Sequence, residues 1–471
     1  MKPFHRPGKP GVHHAPLLAL SLAMLAAVGA GAARAVTLDP RGLGQALIYP
    51  YYTVNKGQDT LITVVNGSDF GSLVRVAASE SLNGRDVMRF NVVLAPHDVW
   101  TARISQTHDG GAAIYSSDTS CVSPPMTANG FAFQQSAYAG GSLYPADAGP
   151  KNLARTREGF IKVIEWGTVA SGSPLDWASR HGANGEAPAC TASAIGESAP
   201  TYLTHNFGGR GKLAGSAAIV NVGEGTFFAY AAEAIAAFSA YPVDPDLRNT
   251  NSPESRFPNG AVAHVAYGNR QSSFDFAQGV DAASAVLMES SIANDYLVAA
   301  GLGAHTDWVI TFPTKPFYTD FFAGSAARAP FVEQFRAPGV SNVLANMTQY
   351  DQEEGHGETA VLTLPWVVNV VSFGTGEGAS GALGSKLALP VIPFADAGAM
   401  TLDLAHGGDE SHVLAAADGR VLHGLPATGF MVYNIINANA APGKLANYGG
   451  AFPYRSAVSC TTSVDDSTPC E

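Results

Sequence analysis

The chain has 471 residues, of which 46% are apolar and only 14% charged, with a formal charge of −12. That composition describes a globular chain large enough for one big core or two smaller ones. The acidic balance repels nucleic-acid phosphates and so excludes a nucleic-acid partner.

Residues 1–35 read as a secretory signal peptide. Lys2, Arg6 and Lys9 make a basic leader, Leu17 to Val28 an apolar run, and Ala33-Arg34-Ala35 a cleavage site before Val36. The run is shorter than the ~20 apolar residues that a spanning helix needs. No Cys follows it to carry a lipid, and no twin arginine precedes it, which favours the general export route. Cleavage between Ala35 and Val36 would leave 471 − 35 = 436 residues, with no transmembrane segment expected. The leader holds four basic residues and no acid, so the mature charge would be 23 − 39 = −16.

Strand signals dominate the chain beyond the leader. "TLITVVN" (residues 60–66) is rich in β-branched side chains, and "LVRVAA" (73–78) places Val74 and Val76 opposite Arg75. Asn83-Gly84 is a tight-turn dipeptide. In "DVMRFNVVL" (86–94), Phe90, Val92 and Leu94 share a face, and "VWTARI" (99–104) resumes after Pro96-His97-Asp98. Four short strands separated by turns predict an Ig-like β-sandwich. Residues 106–158 lack periodicity and read as a loop insertion. "GFIKVIEWG" (159–167) is a further strand, and 216–234 reads as two strands around Gly223-Glu224-Gly225.

Residues 240–260, dense in proline, asparagine and acid, are the best linker candidate. The division expected is a β-sandwich domain over 36–240 and, over 241–471, a second β-rich domain or a continuation of the same sandwich. Residues 281–300 predict one helix, capped by Asp281, with Ala285, Leu287, Met288 and Ile292 on a stripe. "DWVITF" (307–312) and 359–373 are strand-like. Pro365 cannot donate to a ladder, so the latter holds a bulge, an edge or two separate strands. The fold class is therefore mainly all-β, with a helix in the second half.

Four cysteines, Cys121, Cys190, Cys460 and Cys470, suit disulfides in an exported chain. Three pairings are possible, and proximity favours Cys121–Cys190 with Cys460–Cys470. The absence of C-x-x-C argues against a redox or thiolate-zinc site. Leu425-Pro426-Ala427-Thr428-Gly429 has the form of a sortase motif. It lacks the apolar span and basic tail that wall sorting requires, and the chain ends "DDSTPCE". Proline and glycine there read as the turn into a strand.

Several segments together, "GQALIYPYYTVNKGQDTLITVVN", "RDVMRFNVVLAPHDVWTA", "GFIKVIEWG", "AAIVNVGEGTFFAY", "TDWVITFPTKPFYTD" and "NYGG", give the chain a resemblance over nearly its full length. It resembles an uncharacterised family of exported proteobacterial hypothetical or cell-surface proteins. The resemblance implies export and fold and carries no catalytic residue or ligand. Relatives often have a Cys near the position of Leu364 or Pro365, which this chain lacks.

Candidate chemistry is sparse. Asp351, Glu353, Glu354, His356 and Glu358 crowd one loop and offer the hard oxygen ligands that calcium prefers, although their spacing is not that of an EF-hand. A solvated acidic loop is the plainer reading, so the expectation is no cofactor, with calcium as the one cation to test. "AHGGDESH" (405–412) is a similar loop. His305 and Asp307 flank Thr306, but no serine sits in a G-x-S-x-G elbow, and there is no P-loop or H-E-x-x-H. Tyr49, Tyr51 and Tyr52 with Trp100 would make an aromatic platform for sugar unless they fill the core. The expectation is an exported, non-enzymatic envelope or extracellular protein, structural or adhesive, with envelope proteins or surface glycans as partners. The alternative is a secreted carbohydrate-active or metal-dependent hydrolase with its site near 305–320 and 350–358.

Overall fold

The computed structural model describes residues 35–470, apart from 142–143, 188, 191–198, 205–210, 269, 321–325, 354, 375–379, 438–440 and 465. The signal peptide expected over 1–35 lies outside the described residues except for Ala35, which is buried together with Val36. Strands make up 48% of the structure and helices 10%, an all-β fold.

Two sheets build the N-terminal sandwich. The first runs in the order Thr37–Leu38, Glu233–Ala236, Ala46–Thr53, Glu158–Val169, Ser72–Glu80, Asp86–Leu94, Cys121–Ser123. The second runs Thr226–Ala231, Leu213–Asn221, Asp59–Asn66, Val99–Gln106, Ala112–Tyr115, Phe131–Ala132. Alternation decides which side chains go in: Ile62, Val64, Trp100 and Ile104 face the core, as do Val74, Val76, Phe90 and Val92. Full burial of each such side chain contributes about 1.5–3 kcal/mol. The stretch read as a loop insertion holds three short strands, too brief to show a period. Gly223-Glu224-Gly225 turns a hairpin, with Asn221 paired to Thr226.

Two five-stranded sheets dominate the second half, beside a four-stranded one in the order Val413–Ala415, Val421–His423, Ser459–Ser463, Asp466–Pro469 and smaller strand pairs. The third runs Ala360–Thr363, Leu344–Tyr350, Ala397–Asp403, Ser291–Leu297, Arg455–Ala457. The fourth runs Ala388–Val391, Val368–Phe373, Ala304–Thr311, Thr428–Ile435, Tyr448–Pro453. The fourth is apolar on both faces. Trp308, Ile310, Val371, Phe373 and Met431 pack with Tyr296, Met400 and Leu402 of the third sheet. Val309, Val370, Phe430 and Val432 join the core of the N-terminal sandwich instead, where Tyr230 stacks on Phe430 at 4.4 Å. Pro365 separates two strands that enter different sheets. Leu425 and Ala427 are buried, and a Cβ at Gly429 would collide with the Val309 carbonyl, so the LPATG stretch is the approach to an inner strand.

The helix expected over 281–300 is a correction. A helix covers Gly279–Ala285 only, with Asp281 in its first turn rather than at its cap, and Ser291–Leu297 is a strand. Ile292, Asn294 and Tyr296 point inward with period two. Asn294 hid that period by being polar, and its amide donates to the Pro453 carbonyl at 3.1 Å.

Candidate functional site

The Asn83-Gly84 turn is the root of the most elaborate polar construction in the fold. Gly84 adopts a positive φ of 67°, which a side chain there would strain. The turn leaves backbone N–H groups pointing inward, and the Glu80 carboxylate accepts from those of Leu82, Asn83 and Arg85 at 2.8, 3.0 and 3.1 Å. Arg155 forks onto the same carboxylate at 2.7 and 2.9 Å, and onto Asp147 at 2.9 and 2.5 Å. Its guanidinium lies 4.2 Å from the Tyr138 ring centroid. Burial opposes the charge on Arg155, but Glu80 and Asp147 raise its pKa above the ordinary value. Burial would likewise raise Asp147, yet the Arg155 hydrogen bonds and charge hold it at about 2.

This network supports one wall of an open cleft of about 110 Å³. Arg85 donates two parallel bonds to Asp320, 235 positions away in sequence, at 2.8 and 3.1 Å. Lys162 Nζ donates to Asp86 at 2.7 Å, with the lysine side chain only 10% exposed. Arg248 forks onto Asp246 at 3.1 and 3.0 Å and lies 5.4 Å from the Phe317 ring centroid. Burial would raise Asp246, but Arg248 and the charge of Lys162 bring it below the usual carboxylate range. Tyr144, Phe317, Pro313 and Pro316 supply the apolar part of the lining. Three cations thus meet three carboxylates, each in a pair.

A second recess, of about 80 Å³, is built differently. Glu233, from the strand Glu233–Ala236 of the first sheet, and Glu289, just before the strand Ser291–Leu297, both line it, among Leu38, Leu287, Ile292 and Ile310. Burial drives the Glu289 carboxyl up to about 8; the Ser456 hydroxyl opposes this and the Glu233 charge adds to it. Burial raises Glu233 as well. Glu289 Oε2 is buried and accepts no hydrogen bond.

The residues singled out in sequence are arranged more plainly. Asp351 Oδ1 accepts from the backbone N–H of Glu353 and Gly355 at 2.9 and 2.7 Å, so it caps its own loop. Glu353, His356 and Glu358 are exposed, and Glu354 lies outside the described residues. Among the described residues, no three His, Cys, Asp or Glu side chains come together as a metal would require. Asp307 does not orient His305. Its Oδ2 accepts from the N–H groups of Ala382 and Leu383 at 3.0 and 2.8 Å, and burial raises its pKa. Tyr49, Tyr51, Tyr52 and Trp100 are buried in the core and make no surface platform. Cys121 is bonded to Cys190 and Cys460 to Cys470, the pairs that proximity favoured. Sequence reasoning missed Arg85, Lys162, Asp246 and Glu289, because only the fold brings them beside their neighbours. The sole local signal was Asn83-Gly84, whose turn aims Glu80.

The outer face of the second sheet exposes apolar side chains by contrast. Leu61, Val99 and Phe227 are exposed there at 40, 45 and 59%. Its strand residues carry only Asp59 and Arg103 as charges, 3.9 Å apart. Among the described residues, no helix is long and apolar enough to cross a membrane. Compared with protein-family models, curated proteins and solved structures, the chain matches none.

Proposed function

We propose that the chain acts after export, in the envelope or outside the cell, as a non-enzymatic protein with a structural or adhesive role. The observation that carries this reading is the charge-balanced cleft. Its three basic and three acidic side chains sit in pairs, which engages them as donors and acceptors with one another rather than leaving a base or nucleophile poised to react. The exposed apolar face of the second sheet supports adhesion. The leader sequence and two disulfides support an oxidising compartment, and the resemblance to exported cell-surface proteins agrees with it.

Fractionation of the producing cell, with protease applied to intact cells, tests the reading. The expected result is protein beyond the cytoplasmic membrane, beginning at Val36, that binds cell-surface material without turnover in a hydrolase screen. Cytoplasmic protein with an uncut leader would contradict it. A second reading rests on Glu289 and Glu233, the two carboxylates that line the apolar recess. A carboxyl that keeps its proton to about pH 8 is the kind of group that serves as a general acid, so a secreted hydrolase would work through Glu289 and Glu233. Turnover that disappears in Glu289→Gln would favour that second reading.

A further inference from the structure

The cleft also specifies what it would hold. We propose that it binds a neutral saccharide, an inference that rests on the adhesive reading and names its ligand class. Charge is the first selector. Arg85, Lys162 and Arg248 bring three positive charges and Asp86, Asp246 and Asp320 three negative ones. Each sits in an ion pair of 2.7 to 3.0 Å at its closest approach. An anionic ligand would compete with a carboxylate for its cation, and a cationic ligand would compete for the carboxylate; either must disturb a pair already formed. A ligand hydroxyl both donates and accepts, so vicinal hydroxyls can bridge a cation and its carboxylate while the pair stays intact. Lys162 uses one of its three N–H donors on Asp86, which leaves donor capacity for a ligand.

The apolar lining completes the match. A sugar ring has a C–H face as well as hydroxyls, and Phe317 and Tyr144, with two prolines beside them, offer rings of suitable size.

Calorimetric titration of the mature, disulfide-bonded chain with a panel of neutral, uronic-acid and amino-sugar oligosaccharides tests this. The expected result is binding of a neutral member whose affinity is little changed between low and high salt, as for a ligand without charge. Lys162→Gln and Phe317→Leu should each weaken it about tenfold or more, with the circular-dichroism spectrum retained. If one variant fails to fold, the other still decides. Binding confined to charged sugars, or affinity that is unaltered in the folded variants, overturns the inference. Association with intact cells that persists in both variants also overturns it while leaving the adhesive role standing. Absence of any cell association overturns the role itself.

Discussion

The cleft and the acidic recess both bury carboxylates, yet they treat them in opposite ways. Asp147, behind the cleft, is held down at about 2, and Asp246 is lowered too; Glu289, in the recess, is pushed up to about 8. Desolvation is the largest influence on all three and always favours the uncharged form. What differs is the company: Arg155, Arg248 and Lys162 on one side, and another glutamate on the other. Depth of burial therefore does not set the charge of a group; the partner decides whether desolvation is overcome. One region becomes a rigid array of fixed charges, and the other a place where a proton resides.

The sharpest way to break this contrast is to remove the shared cation. Arg155→Met should destabilise the chain by about 3–5 kcal/mol at pH 7, read by urea unfolding, because the buried Glu80 and Asp147 lose the cation they share and Lys151 remains beside Asp147 alone. The loss should shrink in acid as Asp147 takes up a proton. A penalty independent of pH would mean that Arg155 contributes packing alone.

The recess predicts the opposite pH dependence. Glu289 holds its proton up to about 8 when folded and only to 4.5 when unfolded. The folded state therefore carries the extra proton between those values, and the contribution of Glu289 to stability falls as pH rises from 4.5 to 8. Glu289→Gln should remove that slope, raising stability at pH 8 by about 1–3 kcal/mol relative to pH 5 when compared with the parent. Parallel melting curves for parent and variant across this range would contradict it. The smallest effect on stability belongs to the cleft rim: Lys162→Gln should cost about 1 kcal/mol or less, because Asp86 is 28% exposed and water can replace the lysine. A larger loss would place Lys162 among the fold's supports.

How far these regions were readable depends on the range of the contacts that make them. Period-two alternation needs only neighbours, so Val74 against Arg75 and the face of Phe90, Val92 and Leu94 were legible. The two-faced fourth sheet was not legible, since a strand buried on both sides shows no alternation of polarity. The helix over 281–300 failed for a related reason: one buried polar residue, Asn294, disguised a strand. Arg85–Asp320 and Glu233 with Glu289 join distant stretches, and no local pattern marks them. Conversely, the acid-rich loop at 351–358 drew attention because its residues are adjacent in sequence, and adjacency is what a solvated turn also produces.

The claim that partnership rather than depth sets the charge is tested most directly by carbon-13 NMR titration of carboxyl-labelled glutamate, with the Glu289 resonance identified by its absence in Glu289→Gln. We predict a midpoint near 8 for that resonance. A midpoint near 4.5 would contradict the account, and would also remove the acid on which the hydrolase reading depends.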